Sequence, residues 1–195
     1  MSAIDADYIA ADDEWDELVW VWQRTDVPKG CKVEIIDGLI TVIPLSANAH
    51  HGIAERVQRR LYEVIPEDWG VYQRLGMAVP SRLRLYMPDI VVVPERALAG
   101  DAGFVPADRA ELVVEITSRP TAFNDRTHKA AGCAAAGIPL YLLIDGWAPG
   151  GPAITLFGEP ADGVYRILRA VGFGDPVKLP EPFGLTIDTA EFPVD

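Results

Sequence analysis

Cysteine is scarce: Cys31 and Cys133 are the only two in 195 residues. Neither lies in a C-x-x-C or beside a Cys/His partner, so the sequence carries no disulfide framework and no zinc-site spacing. Both read as small buried thiols. No apolar run reaches the roughly 18 residues that a membrane span needs. The start, M-S-A-I-D-A-D-Y, has neither the basic residues nor the apolar stretch of a secretory signal. The expectation is a cytoplasmic protein with no membrane segment. The G-x-x-x-x-G-K-[ST] loop, the G-x-S-x-G elbow and the H-E-x-x-H helix are all missing, and with them the commonest nucleotide, acyl-transfer and zinc chemistries. G-F-G at 172–174 is a turn. There is no internal repeat and no low-complexity segment. Positive charge is also short, with 17 Lys and Arg against 29 Asp and Glu and a net charge of -12. That balance weighs against a nucleic-acid binder, because phosphate contacts rest on Lys and Arg.

The acids are unevenly spread. Residues 1–30 hold eight acids and two bases and residues 145–195 eight and three, which leaves thirteen and twelve for 31–144. The middle is nearly neutral and contains Arg56, Arg59, Arg60, Arg74, Arg82 and Arg84, either a local basic face or an ordinary solvated surface. With 49% apolar residues, the chain has the makings of one globular domain with a sizeable core.

Trp15, Leu18, Val19 and Trp22 fall at helical spacing behind a run of acids, which predicts a docking helix. Asp37-Gly38 between two β-branched runs predicts a hairpin with Ile36 facing Leu39 and Glu34 facing Thr41. A helix is expected from Ser46 or Asn48 to about Ile65, with Ile53, Val57, Leu61, Val64 and Ile65 on one stripe. One strand is expected over V-Y-Q-R-L-G-M-A-V, a second over about Leu83 to Val93, and a long loop to about Ala110. A third strand, Glu111 to Ser118, precedes a helix from Asn124 or Asp125 to about Ala136, stopped by Gly137 and Pro139. L-Y-L-L-I-D then reads as a fully buried strand ending on Asp145. Short strands follow, with a hairpin about A-D-G at 161–163. The class is α/β or α+β, a mixed sheet flanked by helices.

Two carboxylates sit inside this apolar pattern. Alternation puts Val113, Glu115 and Thr117 on one face of the third strand and Leu112, Val114 and Ile116 on the other. Asp89 follows Pro88, which removes a ladder donor and suits a bend or strand edge. If the two strands are neighbours, the acids converge, and within about 4–6 Å one would keep its proton unless a cation lay between them. A hard divalent ion takes such oxygen ligands. Lys129 lies four residues after Asp125 on one helix face, either as a surface ion pair or as an ammonium beside that ion.

P-D at 88–89, E-x-T at 115–117, a Lys on the next helix and G-I-P-L-Y-L-L-I-D resemble the PD-(D/E)XK nuclease superfamily. E-I-I-D-G at 34–38, S-A-N-A-H at 46–50, P-D-I-V-V, V-V-E-I-T-S and A-G-I-P-L-Y-L-L-I-D are similar to the Uma-two family of restriction endonucleases, over roughly residues 30 to 190. The resemblance implies a restriction-endonuclease-like fold and a Mg²⁺- or Mn²⁺-dependent phosphodiesterase acting on DNA. Carried over by position, Asp89 and Glu115 would be metal ligands and the Ile116 carbonyl a third, with Glu34 as an extra ligand or else a cross-strand partner of Thr41. Thr117 stands where the superfamily has its lysine, and Lys129 would supply the cation from the helix. His50 sits where the family has its own His; it and His51 also suit first-turn hydrogen bonding. Asp145 is placed to hold a loop near the site.

The implied layout is a single domain over 1–195, with an N-terminal helix and hairpin (1–45), a nuclease core (46–146) and a C-terminal β extension (147–195). A homodimer is expected, because two paired sites cut two strands most simply. Thr117 and the acidic ends leave open a non-catalytic module of the same fold that binds a protein or nucleic acid. A small-molecule phosphodiesterase is a third class.

Overall fold

The Asp37-Gly38 pair closes a hairpin because both residues take positive φ, 50° and 78°, the conformation that matches the twist of the flanking strands. β1 (Lys32–Ile36) and β2 (Leu39–Ile43) pair antiparallel about it, with Ile36 opposite Leu39 and Glu34 opposite Thr41 as expected. The structure, a computed structural model, describes residues 14–44 and 47–193. The acidic helix α1 (Glu14–Arg24) docks beside the hairpin. Its Trp22 indole N–H donates to the Val33 carbonyl at 2.7 Å, and Trp15 and Trp22 both meet Phe104 edge-on. The apolar stripe considered above is thus turned toward the chain itself.

α2 (Asn48–Tyr62) buries Ile53, Val57 and Leu61. Ala47 stands at its N-cap without a side-chain bond, so Asn48, one expected cap, is already the first helical residue; Ser46, the other, lies outside the described residues. The regular helix ends short of Ile65, where the Glu63 and Val64 amides tighten onto the Arg60 and Leu61 carbonyls three residues back, just before Pro66.

Two expected strands each divide. The stretch 71–79 belongs to β3 (Trp69–Tyr72) and β4 (Gly76–Val79), separated at Arg74 with φ 58°. The stretch 83–93 becomes β5 (Arg84–Tyr86) and β6 (Ile90–Pro94). The breaks face each other: the Arg74 amide donates to the Pro88 carbonyl at 3.2 Å, and the Met87 amide to the Glu34 carboxylate at 2.9 Å. Pro88 cannot continue a ladder, so the chain crosses there from one sheet to another. The expected long loop is also structured, with β7 (Phe104–Pro106) running parallel to β4.

β8 (Leu112–Ile116) leads into α3 (residues 122–135), then β9 (Leu140–Asp145), β10 (Ala153–Ala161), β11 (Val164–Gly172), β12 (Val177–Lys178) and β13 (Thr186–Ile187). The larger main sheet has the order β11-β10-β9-β8-β6-β3, the smaller β2-β1-β5-β4-β7, and β12 and β13 pair alone as a third. β8 and β9 are parallel across α3, while β6 runs antiparallel to β8. The fold is therefore a mixed α+β arrangement, as expected.

Alternation along β8 divides the core. Leu112, Val114 and Ile116 pack with α2 and the C-terminal segment, whereas Val113 packs with Tyr141, Cys133 and Met77 on the side of α3 and the small sheet. Each such Val, Leu or Ile contributes about 1.5–3 kcal/mol by leaving water. A carboxylate placed among them must therefore be compensated locally.

Candidate metal centre

Ile90 pairs with Val114 across β6 and β8, so residue 89 lies beside residue 115. Asp89 is 6% exposed. Its Oδ2 accepts the Ile116 amide at 2.9 Å and lies 2.9 Å from Nε2 of His50. Its Oδ1 pairs with the Lys32 ammonium, which also donates to the Met87 carbonyl at 3.2 Å. Burial alone would push this carboxyl up, but the His50 hydrogen bond and the Lys32 charge outweigh it and hold Asp89 well below the usual carboxylate range.

Glu115 points from β8 toward α3, where residues Asp125–Lys129 form a π-helical turn, a widened turn that often marks functional sites. Both of its end residues face inward, Asp125 1% and Lys129 2% exposed. The Lys129 ammonium lies 2.9 Å from Glu115 Oε1, 3.0 Å from Glu34 Oε1 and 3.2 Å from Asp125 Oδ1. The Asp125–Lys129 pair is thus buried and not a surface ion pair. Burial pushes the Glu115 carboxyl well up; Lys129 opposes this, and Asp89 and Asp125 add to it. Lys129 is also raised, because Glu115, Glu34, Asp125 and Asp89 together outweigh its desolvation. The two shifts agree physically: one ammonium cannot neutralise three carboxylates, so Lys129 stays charged and a proton on Glu115 relieves part of the surplus.

Counted together, Glu34, Asp89, Glu115 and Asp125 set four carboxylates against two ammonium groups, Lys32 and Lys129, with no acid more than 6% exposed. Even with a proton on Glu115, the carboxylates outnumber the ammonium groups, a surplus that a bound cation would offset. Glu34 Oε2 is buried without a hydrogen-bond partner. Asp89, Glu115 and Ile116 line one hollow, together with His50, Lys32, Asp125 and Lys129. Among the described residues, no three His, Cys, Asp or Glu side chains are arranged to hold a metal ion. Two carboxylates with a backbone carbonyl and waters are nevertheless a set that Mg²⁺ takes, and the hard oxygen chemistry of Asp89, Glu115 and Ile116 fits it. Glu34 does not line the hollow. It contacts Lys129 and clamps the Met87 amide at the strand break.

Thr117, at the motif-lysine position, donates its hydroxyl to Asp145 at 2.8 Å. Asp145 also takes Arg126 Nε at 2.5 Å and the Trp147 amide at 3.0 Å, so it holds the loop after β9. His51 stacks edge-on against His50. Of the six arginines noted in the sequence, five make ion pairs or loop anchors: Arg56 to Glu191, Arg59 to Glu55, Arg60 to Glu63, Arg84 to Asp37, and Arg74 to the Gly30 and Cys31 carbonyls. Lys32 was missed by the sequence reading, although it alternates with Glu34 on β1 and so shares that residue's face.

A model of the Uma2 family, described as "Putative restriction endonuclease", matches residues 17–190. Among solved structures, the chain is similar to one titled as a "putative nuclease belonging to DUF820" from Anabaena variabilis ATCC 29413. The two share 17% identity over 89% of this chain and 96% of that one, with a TM-score of 0.66. At that identity the likeness establishes the fold, which is restriction-endonuclease-like. No curated protein matches. With residues 17–190 of the 195 matched, this chain belongs to the Uma2 family.

Proposed function

We propose that this chain is a metal-dependent endonuclease that hydrolyses DNA phosphodiester bonds at the hollow between β6, β8 and α3. The observation that carries this reading is the gathering of four buried carboxyl groups around only two ammonium groups. Charge of that kind is costly to bury without a purpose, and a divalent ion balances it. Asp89, Glu115 and the Ile116 carbonyl would hold Mg²⁺ or Mn²⁺. Such an ion, when bound, would polarise a phosphoryl oxygen as a Lewis acid and lower the pKa of a bound water. The chain's own groups supply the rest. The Ile116 amide and His50 fix the Asp89 carboxylate, while Lys129, immobilised by three acids, brings a permanent positive charge to the developing phosphorane.

Supercoiled plasmid incubated with Mg²⁺ or Mn²⁺ tests this directly. The wild type should nick it, and Asp89→Asn or added EDTA should reduce cutting to background. Cutting that survives Asp89→Asn would assign the activity to something other than this hollow.

The non-catalytic module is the second reading, favoured by Thr117, whose hydroxyl is committed to Asp145 and away from the acids. Calorimetric titration with Mn²⁺ separates the two. No heat up to millimolar metal, together with no cleavage, would select the module.

A further inference from the structure

Lys32 has no part in the reaction as derived above, yet its ammonium sits at the centre of the hollow's electrostatics. It touches Asp89 Oδ1 and the Met87 carbonyl, a carboxylate and a carbonyl oxygen of the kind that surrounds hard cations. The other Asp89 oxygen already serves the Ile116 amide and His50. Oδ1 is therefore the oxygen left for an ion, and Lys32 covers it. The open space is about 10 Å³, at the limit for a single water and too little for an ion with its own waters. Something must leave before a metal enters. Lys129 is enclosed by three carboxylates with its side chain 3% exposed, whereas Lys32 is 12% exposed and stands at the first position of β1 on a flexible four-carbon stem.

We propose that Lys32 is a resident counter-cation that occupies the ion position of the metal-free protein and withdraws from Asp89 when a divalent ion binds. This rests on the metal-dependent reading. It gives Asp89 a partner before metal arrives, and it makes metal affinity a competition between an ammonium and an ion for one oxygen.

Two measurements test it. The first treats the wild-type protein with an amine-acetylating reagent, with and without saturating Mg²⁺, and quantifies each lysine by mass spectrometry. Modification of Lys32 should rise severalfold with metal while Lys129 stays protected. The second titrates Mn²⁺ calorimetrically into the wild type, Lys32→Met and Lys32→Arg. Lys32→Met should bind about tenfold tighter or more, since it removes both the competitor and its charge. Lys32→Arg, still cationic, should not. If Mn²⁺ binds the wild type but Lys32 labelling does not rise, or Lys32→Met gains no affinity, the counter-cation idea fails and the metal reading stands. If neither the wild type nor the variants bind metal, both fail.

Discussion

Lys129 shows how a single side chain can be indispensable for reasons unrelated to its own burial. Its ammonium is the shared partner of Glu34, Glu115 and Asp125, so truncating it strands three buried carboxylates. Breaking a buried pair from one side costs about 3–5 kcal/mol, far more than the pair itself contributes. Lys129→Met should lower metal-free stability in urea denaturation by that order. Arg59→Ala removes an exposed pair to Glu55 and should change stability by about 0.5 kcal/mol at most. Equal losses in the two variants would contradict this account of the site. At this scale much was legible. Asp89 was conspicuous because it opens a valine run, Glu115 because it lies inside one, and Lys129 because of its spacing from Asp125. Lys32 stayed hidden because its partner lies 57 positions away, and no local pattern encodes that distance.

At the scale of elements, the site depends on how closely α3 approaches the small sheet. Gly132 has no side chain because the Tyr86 ring and the Arg84 guanidinium occupy the place a Cβ would take. Tyr86 also donates its hydroxyl to the His128 carbonyl at 3.2 Å, just before Lys129. Gly132→Ala should force α3 outward, cost about 1–3 kcal/mol by overpacking, and weaken Mn²⁺ binding because Lys129 lies one turn earlier. A variant with unchanged melting temperature and metal affinity would refute that coupling. The hairpin, β8, β9 and the Gly137 stop were readable from alternation and turn chemistry. The break at Arg74 was not, and at Met87-Pro88-Asp89 the proline signalled a bend or strand edge but not a crossing between sheets. Both breaks are set by the Met87 amide meeting Glu34 and the Arg74 amide meeting Pro88, contacts that exist only once the two sheets are side by side.

For the whole molecule, net charge was a poor guide to the site. The overall -12 conceals buried acids gathered on Lys32 and Lys129 and arginines spent on surface pairs. Its core has a further consequence for pH. Burial pushes the Cys133 thiol and the Tyr86, Tyr141 and Tyr165 phenols up from ordinary values of 9.0 and 10.0. In the unfolded chain these groups ionise near the ordinary values, while in the folded protein they stay neutral. Their contribution to stability is therefore complete below about pH 9 and falls as pH rises beyond it. The urea midpoint should decline steadily above that pH. A flat profile to pH 11 would show that these groups are not buried as described.

The central claim is that Asp89 and Glu115 share one divalent ion. Anomalous diffraction at the manganese edge from crystals soaked in Mn²⁺ measures this most directly. We expect one strong peak bonded to both carboxylates and the Ile116 carbonyl, with the Lys32 ammonium drawn away. A saturating soak with no peak there, and with both acids still held by their lysines, would contradict it.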